Sequence, residues 1–334
     1  MPRGAERISV IMEPSLARIG VIYLCRFTEG ERPVRAFVDS YRAHPAGADH
    51  DLHVIFKGFP DKNSLAAVRA LFGELPVHSL ELEDKGYDIG SYFAAAQIIA
   101  DRRLIFFNTF TELLADDWLR KFDDALNRPG VGLVGATGSW QSPRSLYQAS
   151  WRRALYWIRH PLEYVRRADT DRQPIWDSRK AQDATAPVVE TEASDARVLA
   201  RIGRSLYRLI RFDRHLLPYA PYPNPHIRTN AFMIERDRFL ALTIPSFRTK
   251  FDVYRFESGL DSLTSQIIAQ GLKTVVVDRH GDVHELADWK ASATYWIDEQ
   301  KNLIAADNRT RDYSGGTALD RARLQAHAWE DPLR

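Results

Sequence analysis

The stretch GYDIGSYFAAAQIIADRRLIFFN, residues 86–108, joins a glycine-containing loop, an alanine-rich helical segment and the most strand-like run of the chain. That run, RLIFF at 103–107, is apolar after its arginine and ends abruptly at Asn108. Short apolar runs of this kind are typical of buried strands in parallel sheets that helices cover. The stretch therefore predicts one repeat of an α/β fold, with polar residues where the strand ends.

The same alternation extends along the chain on both sides of this stretch. Strands are predicted at residues 18–24, 51–56, 77–82, 103–107, 131–134, 229–234 and 274–277. Helices are predicted at residues 33–42, 64–71, 92–100, 113–126, 236–242, 258–270 and 318–329, and residues 84–91 are predicted to form a loop. This order predicts an α/β protein with a Rossmann-like, mostly parallel central sheet flanked by helices.

Composition excludes several classes of protein. The chain has 334 residues, of which 45% are hydrophobic, so it can bury a core without disulfides. Its only cysteine, Cys25, can form neither an internal disulfide nor a zinc site by itself, which fits a reducing compartment. The net charge of +2 excludes the strong positive field of a dedicated nucleic-acid binder. No run approaches the roughly 18 apolar residues of a membrane span, so we expect a cytoplasmic protein.

The domain organisation follows from a break in the α/β rhythm. Residues 139–225 contain two arginine-rich helical segments around a polar stretch at 168–195 that is typical of a flexible insert. We therefore divide the chain into a half at 1–138, a helical basic insert at 139–225, and a half with the tail at 226–334. No G-x-G-x-x-G follows the first strand and no G-x-x-x-x-G-K-[ST] occurs, which excludes the dinucleotide fingerprint and the P-loop.

Polar residues that follow predicted strands are candidates for ligand binding, because open α/β sheets bind ligands outside the carboxyl ends of their strands. Asp88, Gly90 and Ser91 precede a predicted helix, where they either meet an anion or merely cap the helix. Asn108 and Thr109 follow the strand RLIFF directly. They either contact a substrate or form a turn before the next helix.

The segment FESGLDS at 256–262 contains a carboxylate outside a predicted helix cap. The spacing of Ser258 and Asp261 predicts a capping-box-like helix start, which gives Asp261 a structural role. Glu257 stands outside that arrangement. It is a candidate general base if it faces a cleft, and a solvated surface charge if it does not.

A second polar group stands at the entrance to the strand in HIRTNAFMI, residues 226–234. His226, Arg228, Thr229 and Asn230 combine imidazole, guanidinium, hydroxyl and amide groups that suit hydrogen bonding to phosphates or sugar hydroxyls. The alternative is a polar strand start that stabilises the preceding proline-rich turn.

Taken in order, five segments resemble the GT-A fold glycosyltransferases, in particular the rhamnan-synthesis F-like group of bacterial polysaccharide proteins. They are GYDIGSY at 86–92, LIFFNTF at 104–110, VGLVGATGSW at 131–140, HIRTNAFMI at 226–234 and FESGLDS at 256–262. The resemblance spans about residues 18–280, with 139–225 as a variable insert.

The resemblance implies a nucleotide-sugar donor in the N-terminal half and a bacterial surface polysaccharide or lipid-linked glycan acceptor in the C-terminal half. It implies donor contacts from Asp88, Gly90, Ser91, Asn108 and Thr109. It places His226, Arg228, Asn230 and Asp261 near the diphosphate or the acceptor. Glu257 takes the place of the base that deprotonates the acceptor hydroxyl in an inverting displacement.

The resemblance also implies a divalent cation, Mn²⁺ or Mg²⁺, as cofactor. The sequence departs from the family pattern here, because the usual D-x-D is replaced by Asn108, Thr109 and Phe110. The metal ligands therefore stay unassigned. Positive charge for the diphosphate is expected from Arg228, from His226, or from a metal held by His280 or His284; the alternative for these two is solvated loop histidines.

The insert contains a basic amphipathic segment at 197–212. Its arginines share one helical face: Arg197, Arg201, Arg204, Arg208 and Arg211. The segment either docks on an anionic inner-membrane surface or packs its apolar face on the core; nucleic-acid binding is a weaker alternative. Two rival functions remain open, namely a nucleotidyltransferase and a non-catalytic carbohydrate-binding or scaffold protein derived from the fold.

Overall fold

A computed structural model describes residues 19–159 and 216–334. The N-terminal 18 residues, the polar stretch at 168–195 and the basic segment at 197–212 lie outside the described residues. No helix in the described ranges is long and apolar enough to cross a bilayer.

One mixed sheet of eight strands forms the centre of the molecule. Its strands are β1 (Ile19–Arg26), β2 (His50–Lys57), β3 (Val77–Leu82), β4 (Arg103–Phe107), β6 (Val131–Gly135), β9 (Ala231–Glu235), β10 (Lys273–Val277) and β11 (Val283–His284). Four short strands form two separate pairs: β5 (Glu112–Leu113) with β12 (Ala305–Ala306), and β7 (Gly138–Ser139) with β8 (His226–Ile227). The order in the sheet is β11-β10-β6-β9-β4-β1-β2-β3. Strands β1 to β4 are parallel, β9 runs antiparallel to both β4 and β6, and β11 runs antiparallel to β10.

Helices cover both faces of this sheet. They are α1 (Glu31–Ala43), α2 (Lys62–Arg69), α3 (Tyr87–Ile98), α4 (Trp118–Leu126), α5 (Pro143–Arg159), α6 (Arg236–Leu240), α7 (Lys250–Ser258), α8 (Leu263–Ala269), α9 (Asn308–Ser314) and α10 (Ala318–Trp329). Alternate residues of β1 face opposite layers. Tyr23 stacks on Phe37 of α1 with ring centroids 3.7 Å apart, whereas Ile22 belongs to the apolar cluster that contains Tyr92 of α3.

The sequence predicts the bounds of β3, β4 and α10 correctly, whereas the loop predicted at 84–91 ends at Gly86. Helix α3 begins at Tyr87, so that Gly90 and Ser91 lie inside it. Gly86 and Tyr87 both have a positive φ, of 72° and 52°, and this conformation favours glycine. Two successive left-handed residues therefore turn the chain directly into the helix, where the spacing of two glycines predicts a longer loop.

The helix predicted at 113–126 begins only at Trp118. The residues before it form β5, which pairs with β12 from the C-terminal part of the chain. This pairing spans almost 200 residues, so local periodicity gives no sign of it.

The helix start predicted at Ser258 is also wrong. Ser258 is the last residue of α7, and Ser262 caps α8 by accepting from Ser265 N. Helix α7 begins at the capping box of Thr249 and Asp252. Glu257 consequently lies in the last turn of a helix, where its side chain is fixed to a rigid element.

Candidate functional site

The carboxyl ends of the central strands bring the predicted polar groups to one edge of the sheet. The ladder places Phe107, the last residue of β4, opposite Ala231, the first residue of β9. Just beyond this pair, Asn108 N donates to Asn230 O at 3.0 Å. The residues before β9 therefore lie beside those after β4. We name this group the edge cluster: Asn108, Thr137, His226, Arg228, Thr229, Asn230, Glu257, Tyr295 and Asp307.

Arg228 is the cation of the edge cluster. Its Nη2 donates to Asp307 Oδ2 at 3.0 Å. The side chain of Arg228 is only 11% exposed and that of Asp307 only 1%. The guanidinium lies over the Tyr295 ring, 4.4 Å from its centroid. Burial alone would lower the pKa of Arg228, but Asp307 and its other neighbours raise it, so the group stays charged.

Asp307 holds Arg228 from the N-cap of α9. Its Oδ1 accepts from Thr310 N at 2.9 Å, which completes a capping box. Burial would raise the pKa of Asp307, but Arg228 and the Thr310 hydrogen bonds hold it below its usual value. The ionised pair therefore fixes the guanidinium to a helix start.

Two buried nitrogen atoms of the edge cluster have no hydrogen-bond partner among the described residues: Arg228 Nη1 and Asn230 Nδ2. The amide oxygen of Asn230 accepts from Thr137 Oγ1 at 3.0 Å, which orients the amide. Buried donors without partners cost roughly 1–3 kcal/mol each. Such a pair suits an anionic or polar ligand that supplies the missing acceptors.

Glu257 reaches the edge cluster from α7. Its Oε2 accepts from Thr229 N at 3.0 Å and also from the Thr229 hydroxyl. Among the described residues, Oε1 of Glu257 accepts no hydrogen bond. One oxygen is thus held by two donors, and the other is available to a ligand.

His226 lies in the same cluster as a neutral ring. Its Nδ1 is 2.8 Å from Asn224 O; because a carbonyl only accepts, Nδ1 carries the proton. Burial lowers the pKa of His226, against the opposing charge of Glu257. The lowered pKa favours the neutral ring, whereas Arg228 stays charged, so Arg228 is the fixed cation of the cluster.

A second polar group lies at the ends of β1 and β2, beside the start of α3. Arg26 donates to both carboxylate oxygens of Asp84, at 3.2 and 3.0 Å. The fully buried Lys57 donates to Tyr87 O and lies 3.8 Å from Asp84. Burial raises the pKa of Asp88, although the charges of Lys57 and Arg26 act to lower it.

The remaining predicted donor contacts have partners within the fold. Ser91 Oγ donates to Tyr87 O inside α3, and Thr109 O accepts from Tyr23 Oη at 2.8 Å. Asn108 Oδ1 accepts from Phe110 N at 3.0 Å, the turn that the sequence leaves open as an alternative. Gly90 packs beside Phe247.

Asp261 takes part in neither a helix cap nor the edge cluster. Its carboxylate pairs with Arg255, and both side chains are more than 40% exposed. Gly259 lies between the two, and a side chain there would collide with Arg255 O at 2.4 Å. The turn after α7 thus brings Asp261 back to Arg255, and the contact of Asp261 with the diphosphate or the acceptor stays a prediction.

Among the described residues, no group of three His, Cys, Asp or Glu ligand atoms lies together at the carboxyl edge. Among the described residues, the one group of three His, Cys, Asp or Glu ligand atoms within 4.8 Å of one another is Asp51, His53 and Asp101. These residues lie near the amino ends of β2 and β4. His284 pairs with Asp278 at 3.1 Å, and His280 N donates to Asp278, so these histidines stabilise the hairpin after β10.

Three functional candidates escape the sequence reasoning. Asp307 and Tyr295 lie in a tail without clear periodicity, although D-N-R-T at 307–310 is a readable cap signal. Lys57 is the last residue of DLHVIFK at 51–57. A charged residue at the carboxyl end of a buried strand indicates the edge of the sheet where ligands bind.

No protein-family model matches this sequence, and no curated protein matches it. Solved structures with a similar arrangement include a mannosyltransferase from Pyrobaculum calidifontis, PcManGT in complex with GDP-Man and Mn²⁺, at 11% identity and a TM-score of 0.42. The match covers 85% of this chain and 64% of the mannosyltransferase.

Two further structures match smaller parts of the chain. S. aureus TarS 1-349 in complex with UDP-GlcNAc is 11% identical, with a TM-score of 0.30 over 36% of this chain and 34% of its own. Mouse xyloside xylosyltransferase 1 in its apo form is 15% identical, with a TM-score of 0.30 over 41% and 59%. The chain thus spans less than two thirds of the length of each structure, and similarities at this level do not assign an activity.

Proposed function

We propose that the protein is a glycosyltransferase, which transfers a sugar from a nucleoside-diphosphate donor to a hydroxyl of a glycan acceptor. The observation that carries the proposal is the placement of Glu257. One of its oxygens is fixed by Thr229, the other is free of hydrogen bonds among the described residues, and two unpaired buried donors belong to the same cluster.

The unpaired donors bind the diphosphate in this proposal. Arg228 Nη1 and Asn230 Nδ2 are held by Asp307 and Thr137 respectively, so they bind an anion without further ordering. Preorganised donors of this kind stabilise charge that develops on a leaving group. Arg228 supplies the charge compensation, and we derive no step through a metal at this edge because Asn108, Thr109 and Phe110 replace the usual D-x-D.

Glu257 acts as the general base. A sugar hydroxyl is a poor nucleophile until its proton is being removed. Glu257 Oε1 accepts that proton while the acceptor oxygen forms a bond to the anomeric carbon and the bond from that carbon to the diphosphate oxygen breaks. A single displacement of this kind inverts the anomeric configuration, which nuclear magnetic resonance of the product measures.

The donor nucleoside occupies the region between the edge cluster and the start of α3. Asp88 is the proposed acceptor of ribose or base hydrogen bonds, and Tyr92 Oη is a buried hydroxyl without a partner among the described residues. The proposed acceptor is a bacterial surface polysaccharide or a lipid-linked glycan. Membrane docking through residues 197–212 stays a prediction, and equal recovery of the full chain and a chain lacking them in liposome flotation would reject it.

Calorimetry and turnover of one variant test the proposal. Titration of nucleoside diphosphates and their sugars, with and without Mn²⁺, should show binding that does not require the metal. Glu257→Gln should keep donor binding and lose at least about 100-fold in transfer or donor hydrolysis. Glu235→Gln is the matched control, because Glu235 pairs with arginines at the other end of β9.

Three outcomes would contradict the proposal. Unchanged turnover in Glu257→Gln removes the base assignment. No binding of any nucleotide sugar favours a non-catalytic carbohydrate-binding or scaffold protein. Release of pyrophosphate from a nucleoside triphosphate favours a nucleotidyltransferase.

A further inference from the structure

A group of histidines and aspartates lies at the amino edge of the sheet, opposite the edge cluster. Asp51 and His53 are on β2, and Asp101 precedes β4. The ladder pairs His53 with His78 of β3. His53 and Lys57 are four positions apart on β2, which is about 13 Å along a strand, so this group is distinct from the proposed donor site.

We propose that Asp51, His53, His78 and Asp101 form a binding site for a divalent transition-metal ion such as Zn²⁺. The ligand atoms of the three residues other than His78 lie within 4.8 Å of one another. His78 extends the group, because its Nε2 lies 3.6 Å from Asp51 Oδ1.

Two distances in the group are close to those between the ligands of a tetrahedral ion. Bonds of about 2.1 Å to nitrogen and oxygen separate two ligand atoms by about 3.4 Å in that geometry. The distance from His53 Nε2 to Asp101 Oδ2 is 2.9 Å, and the distance from His78 to Asp51 is 3.6 Å. Because His78 lies outside the group whose ligand atoms are all within 4.8 Å of one another, its exposed side chain has to move toward His53 and Asp101 when one ion binds all four residues.

The fold makes room for this arrangement at a specific position of β1. Gly20 pairs with Asp51 in the ladder, and a Cβ on Gly20 would lie 2.8 Å from Asp101 Oδ2. Any larger residue would displace the carboxylate. The side chains of His53 and Asp101 are each only 12% exposed, whereas His78 is 56% exposed and closes the group from the solvent side.

The chemistry of the four side chains favours a transition-metal ion. The two arginines after Asp101 are engaged elsewhere: Arg102 pairs with Glu235, and Arg103 pairs with Asp123. The rings of His53 and His78 stack with centroids 5.0 Å apart, so both imidazoles lie on the same side of the sheet. Imidazole together with carboxylate selects Zn²⁺, Cu²⁺ or Ni²⁺ over Mg²⁺.

Calorimetric titration of Zn²⁺ into the chelator-treated full chain tests the proposal. We expect one ion per chain, tetrahedral absorption bands when Co²⁺ replaces Zn²⁺, and an affinity that falls at least about tenfold in His53→Gln and in Asp101→Asn. His44→Gln is the matched control, because His44 and Asp116 form a His–Asp pair at 2.8 Å that belongs to no larger ligand group in the part of the chain that the structure describes. It should bind Zn²⁺ like the parent chain.

His78→Gln tests the site without a buried substitution, because this side chain is on the surface. It should also weaken Zn²⁺ binding while the circular dichroism spectrum stays unchanged. No saturable binding by the parent chain would overturn the proposal, and so would equal affinity in the parent chain and all three site variants. Nucleotide binding is measured separately at the other edge, so failure here leaves the proposed transferase function untouched.

Discussion

Replacement of Asp307 by asparagine tests the buried ion pair that orients Arg228. Asparagine keeps an oxygen that accepts from Thr310 N, so the cap of α9 survives and the negative charge is lost. The guanidinium is then buried without its counterion.

The expected loss of stability follows from the burial of the pair. Removing one partner of a buried ion pair costs about 3–5 kcal/mol. The contact of Arg228 with the Tyr295 ring remains, and a cation over an aromatic ring contributes about 1 kcal/mol or more when desolvated. We therefore expect Asp307→Asn to lower the free energy of unfolding by about 3 kcal/mol, near the lower end of that range. This is a large share of the 5–15 kcal/mol typical of a folded protein.

Urea unfolding and calorimetry measure both consequences of Asp307→Asn. The urea midpoint should fall, and the affinity for a nucleoside diphosphate should fall about tenfold because Arg228 loses its orientation. Glu112→Gln is the control, because its pair with Arg311 is 33–40% exposed and contributes less than about 1 kcal/mol. A loss in Asp307→Asn no larger than in Glu112→Gln would refute the reasoning.

Three further variants test other parts of the account. Thr229→Val removes the hydroxyl that holds Glu257 and keeps the backbone donor, so kcat should fall about tenfold with KM unchanged. Thr229→Ser should restore kcat. A normal kcat in the valine variant would contradict the positioning role of the Thr229 hydroxyl. Burial lowers the pKa of His226 below its usual 6.5, so the unfolded chain binds the proton first as the pH falls. The parent chain should therefore lose up to about 1.4 kcal/mol of unfolding free energy per pH unit below pH 6.5. Urea titrations should show a shallower loss in His226→Gln, and identical slopes in the two chains would contradict this. Gly138→Ala places a Cβ 2.5 Å from the Trp289 ring and should cost about 1–3 kcal/mol in thermal unfolding, whereas an unchanged midpoint would show that the ring moves freely.

The α/β class and most central strands are predictable from the sequence because each strand is a short apolar run that is locally complete. Strand β4 shows this, since RLIFF ends at Asn108 in both sequence and structure. The position of β9 between β4 and β6 is not predictable in this way. It depends on pairing across roughly 100 residues or more.

The edge cluster is predictable only in part. Its members at 226–230 and Glu257 are visible as polar residues beside apolar segments, but the link between Thr229 and Glu257 is a tertiary contact. The helix bounds around Glu257 are wrong in the prediction because two caps compete: Ser258 with Asp261, and Ser262 with Ser265. The C-terminal tail contributes Asp307 and Tyr295 to the edge cluster, and the turns of this tail depend on long-range hydrogen bonds.

A crystal structure of the full chain with a bound nucleoside diphosphate tests the central claim most directly. The account predicts phosphate oxygens within hydrogen-bond distance of Arg228 Nη1 and Asn230 Nδ2, with Glu257 Oε1 facing the space beyond the terminal phosphate. A nucleotide bound away from these atoms, or Glu257 turned away from the terminal phosphate, would contradict it.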